Sequence, residues 1–433
     1  MNRETVSVAR PAIPGSDPHA LSDGAAPDLS TAWPLLGQGS AAADLWAAVE
    51  DGLGGPARPG WLRHKPGRST AAALVDAAGR PAGWALVVTP AALSKAQVVR
   101  RQAHRDGRDG RVTLVGLPGD RWLLCGPLGS DPRLRKALAE VGGAIPDVDA
   151  AARAGELRVL RHNPFRRLVL RQPAGHDRGP SRVVRLHAGR VRDPGWLNSV
   201  AAAGVPLPLP WDGVRQRDAG LGGRRRVTVW PWADGIDLAT RPDPAAARLA
   251  GARIAQLHAM PVESLPDLPV ARRAGAAVGV HALSALDADL GRAAGELQRD
   301  LGRRLSRGAA GRGPVLIHGD FSADQVVTGR DGLWILDWDR AALGDPETDL
   351  ATFAAAEWVR TGGWGLTPHL LAGYRADAGP ERAWAGEDHL LPWVAERLLA
   401  RAPEPFRRAE QDWRAGLGHR LDQVVGLLAE AAA

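Results

Sequence analysis

The sequence predicts a two-lobed α+β protein, with a β-rich first lobe, a helical second lobe and an extra β-rich block ahead of both. Three observations predict it. Short apolar runs separated by Gly- and Asp-containing turns fill residues 45–145 and start again near 157. Longer segments at helical spacing follow residue 243. Between two helical segments lies an acidic stretch. It reads His318-Gly319-Asp320-Phe321-Ser322-Ala323-Asp324-Gln325, then Ile335-Leu336-Asp337-Trp338-Asp339, then Gly344-Asp345-Pro346-Glu347-Thr348-Asp349-Leu350-Ala351.

Residues 1–42 are rich in Ala, Pro, Gly, Ser and Asp without apolar periodicity, so a disordered leader is expected. In the block 45–145, strands are expected at Ala71–Val75, Trp84–Val88, Val112–Val115 and Trp122–Leu124. A helix fits Asp131–Val141, with Pro132 at its first position. The next block, 155–235, has the same design, with strands at Leu157–Leu160, Leu168–Leu170 and Arg182–Leu186. Its first hairpin, Leu160-Arg161-His162-Asn163-Pro164-Phe165-Arg166, aligns with Leu62-Arg63-His64-Lys65-Pro66-Gly67-Arg68. The two agree at Leu, Arg, His, Pro and the last Arg, and each leads into strand-turn-strand, which points to a partial internal duplication.

Arg226–Trp230 reads as a strand feeding a lobe connection at Pro231–Gly235, and residues 236–433 form the helical lobe. Asp243 is the expected N-cap of a helix with Pro244 at its first position and Leu249, Ile254 and Leu257 on its apolar face. Residues 280–307 read as a further helix. Pro314–Ile317 is a short strand ending at His318, and Val326-Val327 and Trp334–Leu336 make a hairpin about the turn Gly329–Gly332.

Composition narrows the function classes. The 433 residues suffice for two or three domains or one large two-lobed one. The net charge of +7 comes almost entirely from Arg, because Lys occurs only at Lys65, Lys95 and Lys136. With abundant Ala, Gly and Pro this resembles the coding bias of a GC-rich bacterium. Nothing interleaves basic residues with stacking aromatics, so no nucleic-acid partner is expected. Cys125 is the only cysteine, which excludes an intrachain disulfide and a cysteine zinc site and reads as a buried core residue. No signal-peptide pattern and no run of about 18 apolar residues occurs, so a cytoplasmic location without a membrane span is expected. The oligomeric state is not legible.

The acidic stretch carries the chemistry. Phosphoryl transfer needs a carboxylate near the acceptor hydroxyl and hard oxygen ligands for Mg²⁺ on the phosphates. Asp320 suits the first task, and Asp337 with the side-chain oxygen of Gln325 suits the second. The plainer alternative is a set of loop carboxylates holding turn amides, and for Gln325 a polar loop residue without a metal.

These motifs resemble those of the aminoglycoside phosphotransferase and choline kinase superfamily, over roughly residues 155–420. The Gly-Asp-Pro-x-x-Asp-Leu-Ala run from Gly344, the connection Val229–Asp237 and the helix end Ala255-Gln256-Leu257-His258 share the likeness. The resemblance implies a protein-kinase-like fold that uses ATP and Mg²⁺ to phosphorylate a hydroxyl on a small molecule. It implies Asp320 as catalytic carboxylate, His318 as the residue fixing its loop, Asp337 as metal ligand and Asp349 as a tie from the following helix. Asp345 would stabilise its own turn. Trp230 and Trp232 would flank the nucleotide or fill the core, and position suggests Glu357, Trp393, Glu396 and Arg397 for the acceptor.

The chain departs from the family pattern at four places. Gln325 stands where Asn is usual, and Arg185 where a nucleotide-binding Lys is expected. No Glu occurs between Glu156 and Glu263 to pair with that cation, leaving Asp193 as the acidic candidate. No Gly-rich loop surrounds Asn163-Pro164-Phe165.

Overall fold

A computed structural model describes residues 28–37, 41–105, 111–175, 180–219, 221, 226–265, 268–271, 275–308, 313–378 and 387–430. Helix α1 (Ala41–Leu53) precedes a first sheet of β1 (Arg58–Lys65), β2 (Ser69–Val75), β3 (Pro81–Val88), β4 (Thr113–Leu117) and β5 (Arg121–Pro127). The order is β1-β2-β3-β5-β4, antiparallel throughout, with α2 (Pro90–Arg105) between β3 and β4. Two short helices, α3 (Arg135–Glu140) and α4 (Val148–Arg153), lead to a second sheet. Its strands β6 (Arg158–Asn163), β7 (Arg167–Gln172), β8 (Arg182–His187) and β9 (Val227–Pro231) are antiparallel and in chain order. The short helices α5 (Leu197–Ala202) and α6 (Gly213–Asp218) lie between β8 and β9.

The period-2 alternation of the strands sorts their side chains onto two faces. In the first sheet Ala72, Leu74, Ala85 and Val87 enter the core shared with the helical lobe. Trp84 and Val88 face Ala92, Ala96 and Ala103 of α2. In the second sheet Leu168, Leu170, Val184 and Leu186 pack on Leu134, Ala137, Leu138 and Val148 around α3 and α4. The helix expected at Asp131–Val141 therefore starts later, at Arg135, and belongs with the second sheet rather than the first block. Cys125 is buried as expected, and burial pushes its thiol up to about 11.

The aligned hairpins have the same backbone. Gly67 and Phe165 occupy the same turn position with φ of 65° and 64°. Each turn closes with one bond, Arg68 N–H to Lys65 O at 3.1 Å and Arg166 N–H to Asn163 O at 3.0 Å.

The expected leader is in part folded. Leu29, Ala32 and Leu35 are buried, and Trp33 meets Trp413 at 6.1 Å between ring centroids. Their spacing of about three is one helical turn, enough to bury an apolar side against the helical lobe although Pro34 interrupts the pattern. Residues 1–27 and 38–40 of the leader lie outside the described residues.

The helical lobe opens with β10 (Ile236–Asp237) and α7 (Pro244–His258). Asp243 caps α7 by accepting from the N–H groups of Ala245 and Ala246, at 2.9 and 3.1 Å. Leu249 points to solvent, 42% exposed; the packed face is Ala247, Ala250, Ile254 and Leu257. The single helix expected at 280–307 is two, α8 (Gly275–Ser284) and α9 (Ala288–Gly308), because Asp287 caps the second at Asp289 and Leu290. Then come β11 (Val315–Ile317), β12 (Val326–Gly329), β13 (Gly332–Ile335), β14 (Ala342–Gly344), α10 (Glu347–Thr361), α11 (Thr367–Asp377), α12 (Glu387–Arg401), α13 (Glu404–Arg407) and α14 (Trp413–Glu430). Helices α7 and α11 touch backbone to backbone: a Cβ on Gly251 would lie 1.9 Å from Leu370 O, and one on Gly373 1.8 Å from Arg248 O.

Candidate active site

Strand β11 delivers His318, and its pairing with β14 (Val315 opposite Gly344, Ile317 opposite Ala342) sets that loop beside the start of α10. From there the fully buried Asp349 accepts from the N–H of His318 at 2.7 Å and of Gly319 at 2.8 Å. His258 Nε2 donates to the same carboxylate at 3.1 Å, and Tyr374 Oη lies 2.9 Å from His258 Nδ1. Burial pushes the Asp349 carboxyl up, but the bonds from His258 and the His318 backbone more than reverse this, so it lies below its ordinary value. Gly319 is required sterically: its φ is 79°, and a Cβ would meet Arg340 O at 2.3 Å. His318 donates from Nε2 to Leu336 O at 2.8 Å and packs on Trp338, with 4.7 Å between ring centroids. The loop is thus held from three sides, and Asp320 stands at its lip. The Asp320 side chain is 32% exposed, with Arg340 Nη1 at 3.4 Å as its ion-pair partner.

The hairpin β12–β13 ends at Asp337, which adopts φ 63° and ψ 59°. Here the second sheet reaches down. Arg185 Nη1 lies 2.9 Å from Asp337 Oδ1 and 3.2 Å from Asp339 Oδ1. Arg167 Nη1 lies 3.4 Å from Asp337 Oδ1 and also pairs with Asp339 Oδ2. Burial pushes the Asp337 carboxyl up, and Arg185 then Arg167 more than offset it, leaving it below its ordinary value. The Arg185 guanidinium also lies over Trp230, 5.1 Å from the ring centroid. His187 sits opposite Arg167 in the β7–β8 register, and its pKa is lowered to about 4, mainly by burial.

This donor set does not fit Mg²⁺ as it stands. Oxygen ligands for that cation must be free to coordinate, and both Asp337 and Asp339 are engaged by two guanidiniums. The amide of Gln325 is oriented through its nitrogen, Nε2 bonding Asp324 Oδ2 at 3.3 Å. Among the described residues no group of three or more His, Cys, Asp or Glu side chains could hold a metal ion.

Other expected residues separate from the cleft. Glu357 is buried and accepts from Gly365, Leu366 and Thr367 N–H and from the Thr367 hydroxyl, so it caps α11 rather than facing an acceptor. Trp393 is buried in the core. Glu396 is buried, accepts from Ala276 N–H at 3.0 Å, and pairs with Arg397. Glu357, Trp393 and Glu396 are thus buried, whereas Arg397 is half-buried beside Glu396. Trp230 is a core residue beneath Arg185, and Trp232 carries Arg171 on its face at 4.0 Å. Asp345 accepts Thr348 N–H through its own carbonyl at 3.0 Å, within its turn. Asp193 caps Gly195 at 3.0 Å, so the carboxylate beside Arg185 comes from Asp337 instead.

Two features escaped the sequence reading. Arg167 carries no local signal that sets it apart from the other arginines of the chain. Asp131 is fully buried and binds the second sheet's turn, His162 Nε2 at 3.1 Å and Phe165 N–H at 2.7 Å, while Phe165 packs edge-on against Trp84. Pro132 next to Asp131 suggested only a helix start.

A family model described as the phosphotransferase enzyme family matches residues 151–386, a span that contains the second sheet, the Asp320 loop and Asp337. The chain belongs to that family. No curated protein matches it. Among solved structures, spectinomycin phosphotransferase APH(9)-Ia with ADP and spectinomycin is similar at 12% identity and TM-score 0.45, covering 64% of this chain and 93% of that one. A choline/ethanolamine kinase family protein from Mesorhizobium loti is similar at 18% identity and TM-score 0.46, covering 68% and 95%. Apo aminoglycoside phosphotransferase APH(4)-Ia, a thermostable mutant, gives 17% identity and TM-score 0.46, covering 66% and 99%. In this phosphotransferase-family chain the first sheet lies wholly outside the matched span. Among the described residues no helix is long and apolar enough to cross a membrane.

Proposed function

We propose that the protein transfers the γ-phosphoryl group of ATP to a hydroxyl of a small molecule, in the cytoplasm of a bacterium. The observation that carries this reading is the Asp320 loop. Its backbone is pinned by a buried carboxylate while Asp320 itself stays accessible, paired only at 3.4 Å with the exposed Arg340. A carboxylate held in this way can orient an acceptor hydroxyl and take its proton as the oxygen attacks phosphorus in line. Arg185 and Arg167 supply positive charge where phosphate oxygens would lie. The burial of Glu357, Trp393 and Glu396 favours other groups for recognising the acceptor. Mg²⁺, which the resemblance also implies, would have to share Asp337 with Arg185 and Arg167.

The test is ATP turnover with a panel of sugars, amino alcohols and aminoglycosides. Loss of a general base costs about 10²–10⁴-fold in rate, so Asp320→Ala should fall by that factor while ATP still binds. Turnover unchanged in Asp320→Ala would sink the reading. A second reading, nucleotide or metabolite binding without turnover, is favoured by the ion pairs on Asp337. It predicts ATP binding with no transfer to any acceptor.

A further inference from the structure

We propose that the cleft face of the second sheet is a polyphosphate site that works without a divalent cation, with Arg167 and Arg185 as direct phosphate ligands. The inference rests on reading the cleft as a phosphate-handling site and assigns how the phosphates are held. Three observations carry it.

The first is the backbone of the β6–β7 turn, the segment from which a kinase-like sheet could offer N–H groups to phosphates. Here the N–H of Phe165 is taken by the buried Asp131 carboxylate at 2.7 Å, and that of Arg166 by Asn163 O at 3.0 Å. The turn is also anchored through His162, whose Nδ1 lies 3.3 Å from Gly83 O and Nε2 3.1 Å from Asp131. Phe165 has a side chain at φ 64°, so the turn cannot close over a ligand as a glycine loop would. Phosphate recognition falls to side chains.

The second is which side chains are there. Arg167 and Arg185 project from paired strands onto the same two carboxylates, and Arg161 on β6 lies close enough to act electrostatically on Asp337. Two guanidiniums thus contact both Asp337 and Asp339, with Arg161 adding positive charge near Asp337. A guanidinium matches a phosphate edge with two parallel N–H bonds and is weakly hydrated, so it can leave a carboxylate for a phosphate without losing its charge. In the unliganded cluster Asp337 and Asp339 are stand-ins for those phosphate oxygens.

The third is the metal position itself. The carboxylate that a cation would need carries both arginines on its Oδ1, Arg185 at 2.9 Å and Arg167 at 3.4 Å. A cation and two guanidiniums would compete for Asp337.

The readout is equilibrium binding of ATP and of inorganic tripolyphosphate to the full chain, in excess EDTA and in excess Mg²⁺. ATP should bind in EDTA, and tripolyphosphate should compete with it. Arg167→Ser with Arg185→Leu should weaken both by about tenfold or more, the loss expected for charge-assisted bonds. Asp337→Asn and Asp339→Asn should tighten metal-free binding several-fold, because they release the guanidiniums. A metal-ligand role for Asp337 predicts that Asp337→Asn weakens binding in excess Mg²⁺, so the asparagine variants compared in EDTA and in Mg²⁺ decide the matter even if the double arginine variant fails to fold.

Binding that requires Mg²⁺ and is lost in Asp337→Asn overturns the proposal. So does tripolyphosphate that fails to compete, or ATP binding in EDTA that the arginine variant leaves untouched, which would put recognition on the base. Metal-free binding without turnover counts against the proposed phosphotransfer and leaves this inference standing. Turnover with strictly Mg²⁺-dependent binding does the reverse.

Discussion

The two sheets use one backbone hairpin for two purposes. By register, Ser69 lies opposite Val88 and Ala71 opposite Leu86 in the first sheet; Arg167 lies opposite His187 and Val169 opposite Arg185 in the second. Positions that hold Ser, Val and Leu in one copy hold Arg, His and Arg in the other. The first copy covers this face with α2 and turns its opposite face to the helical lobe. The second covers the opposite face with α3 and α4 and turns this one to Asp337. The difference teaches that a few side chains on one face of a strand pair, together with the element that packs on the other, separate a packing module from a binding surface.

The tie between the copies gives the largest expected effect. Asp131→Ala leaves His162 Nε2 and Phe165 N–H without their buried acceptor, and breaking a buried pair on one side costs about 3–5 kcal/mol. Urea unfolding should show a loss of that size. A change under about 1 kcal/mol would mean that the first sheet does not anchor the second sheet's turn.

Next is the acid dependence that His187 gives the second sheet. His187 is buried with Asp339, Arg167, Arg185 and Asp337 around it, and its pKa falls from 6.5 to about 4. The folded state therefore keeps this ring neutral where the unfolded chain protonates it. Stability is full above pH 6.5 and declines as pH falls toward 4, by on the order of 3 kcal/mol. His187→Val copies Val88 of the first sheet and should flatten that window; an unchanged slope in urea midpoints between those pH values would remove His187 as its source. Below it, the depressed Asp337 adds a second loss, because its contribution disappears as pH drops through its lowered pKa.

Smaller effects probe the shared turn. Gly67→Ala meets only Asp28 Oδ2 at 3.9 Å, so it should cost about 1 kcal/mol from the left-handed backbone alone. Phe165→Gly relieves that strain in the second copy but removes the packing on Trp84, so it should destabilise where a purely local view predicts a gain. His64→Ala loses one bond to Thr70 at 2.8 Å and an edge contact with Phe406, and thermal unfolding should show about 1 kcal/mol. That is well short of the Asp131→Ala loss, because His64 has no buried carboxylate partner of the Asp131 kind.

Much of the fold was legible because its signals are local. Alternation marked most strands of both sheets, Asp243-Pro244 marked the start of α7, and the repeated Leu-Arg-His hairpin marked two turns of one geometry at Gly67 and Phe165. Leu249 was misplaced because helical spacing counts apolar residues without knowing that the adjacent face, lined by alanines, is the one that fits against α11. Asp28–Gly37 was misread because its composition resembles a linker while its burial depends on Trp413, far along the chain.

Of the site, the sequence by itself determined the loop: His318, Gly319, Asp320, Asp337 and Asp349 sit at spacings that a short strand, a tight turn and a helix start bring together. It could not determine what faces that loop. Arg167 and Arg185 are ordinary arginines in a chain full of them, and 152 residues separate Arg185 from Asp337. Only the packing of the second sheet over the helical lobe made Asp337 an ion-pair partner of Arg185, and only the tertiary structure buried Glu357, Trp393 and Glu396. The reason is physical: backbone geometry follows from neighbours in sequence, whereas charge pairing and burial follow from neighbours in space.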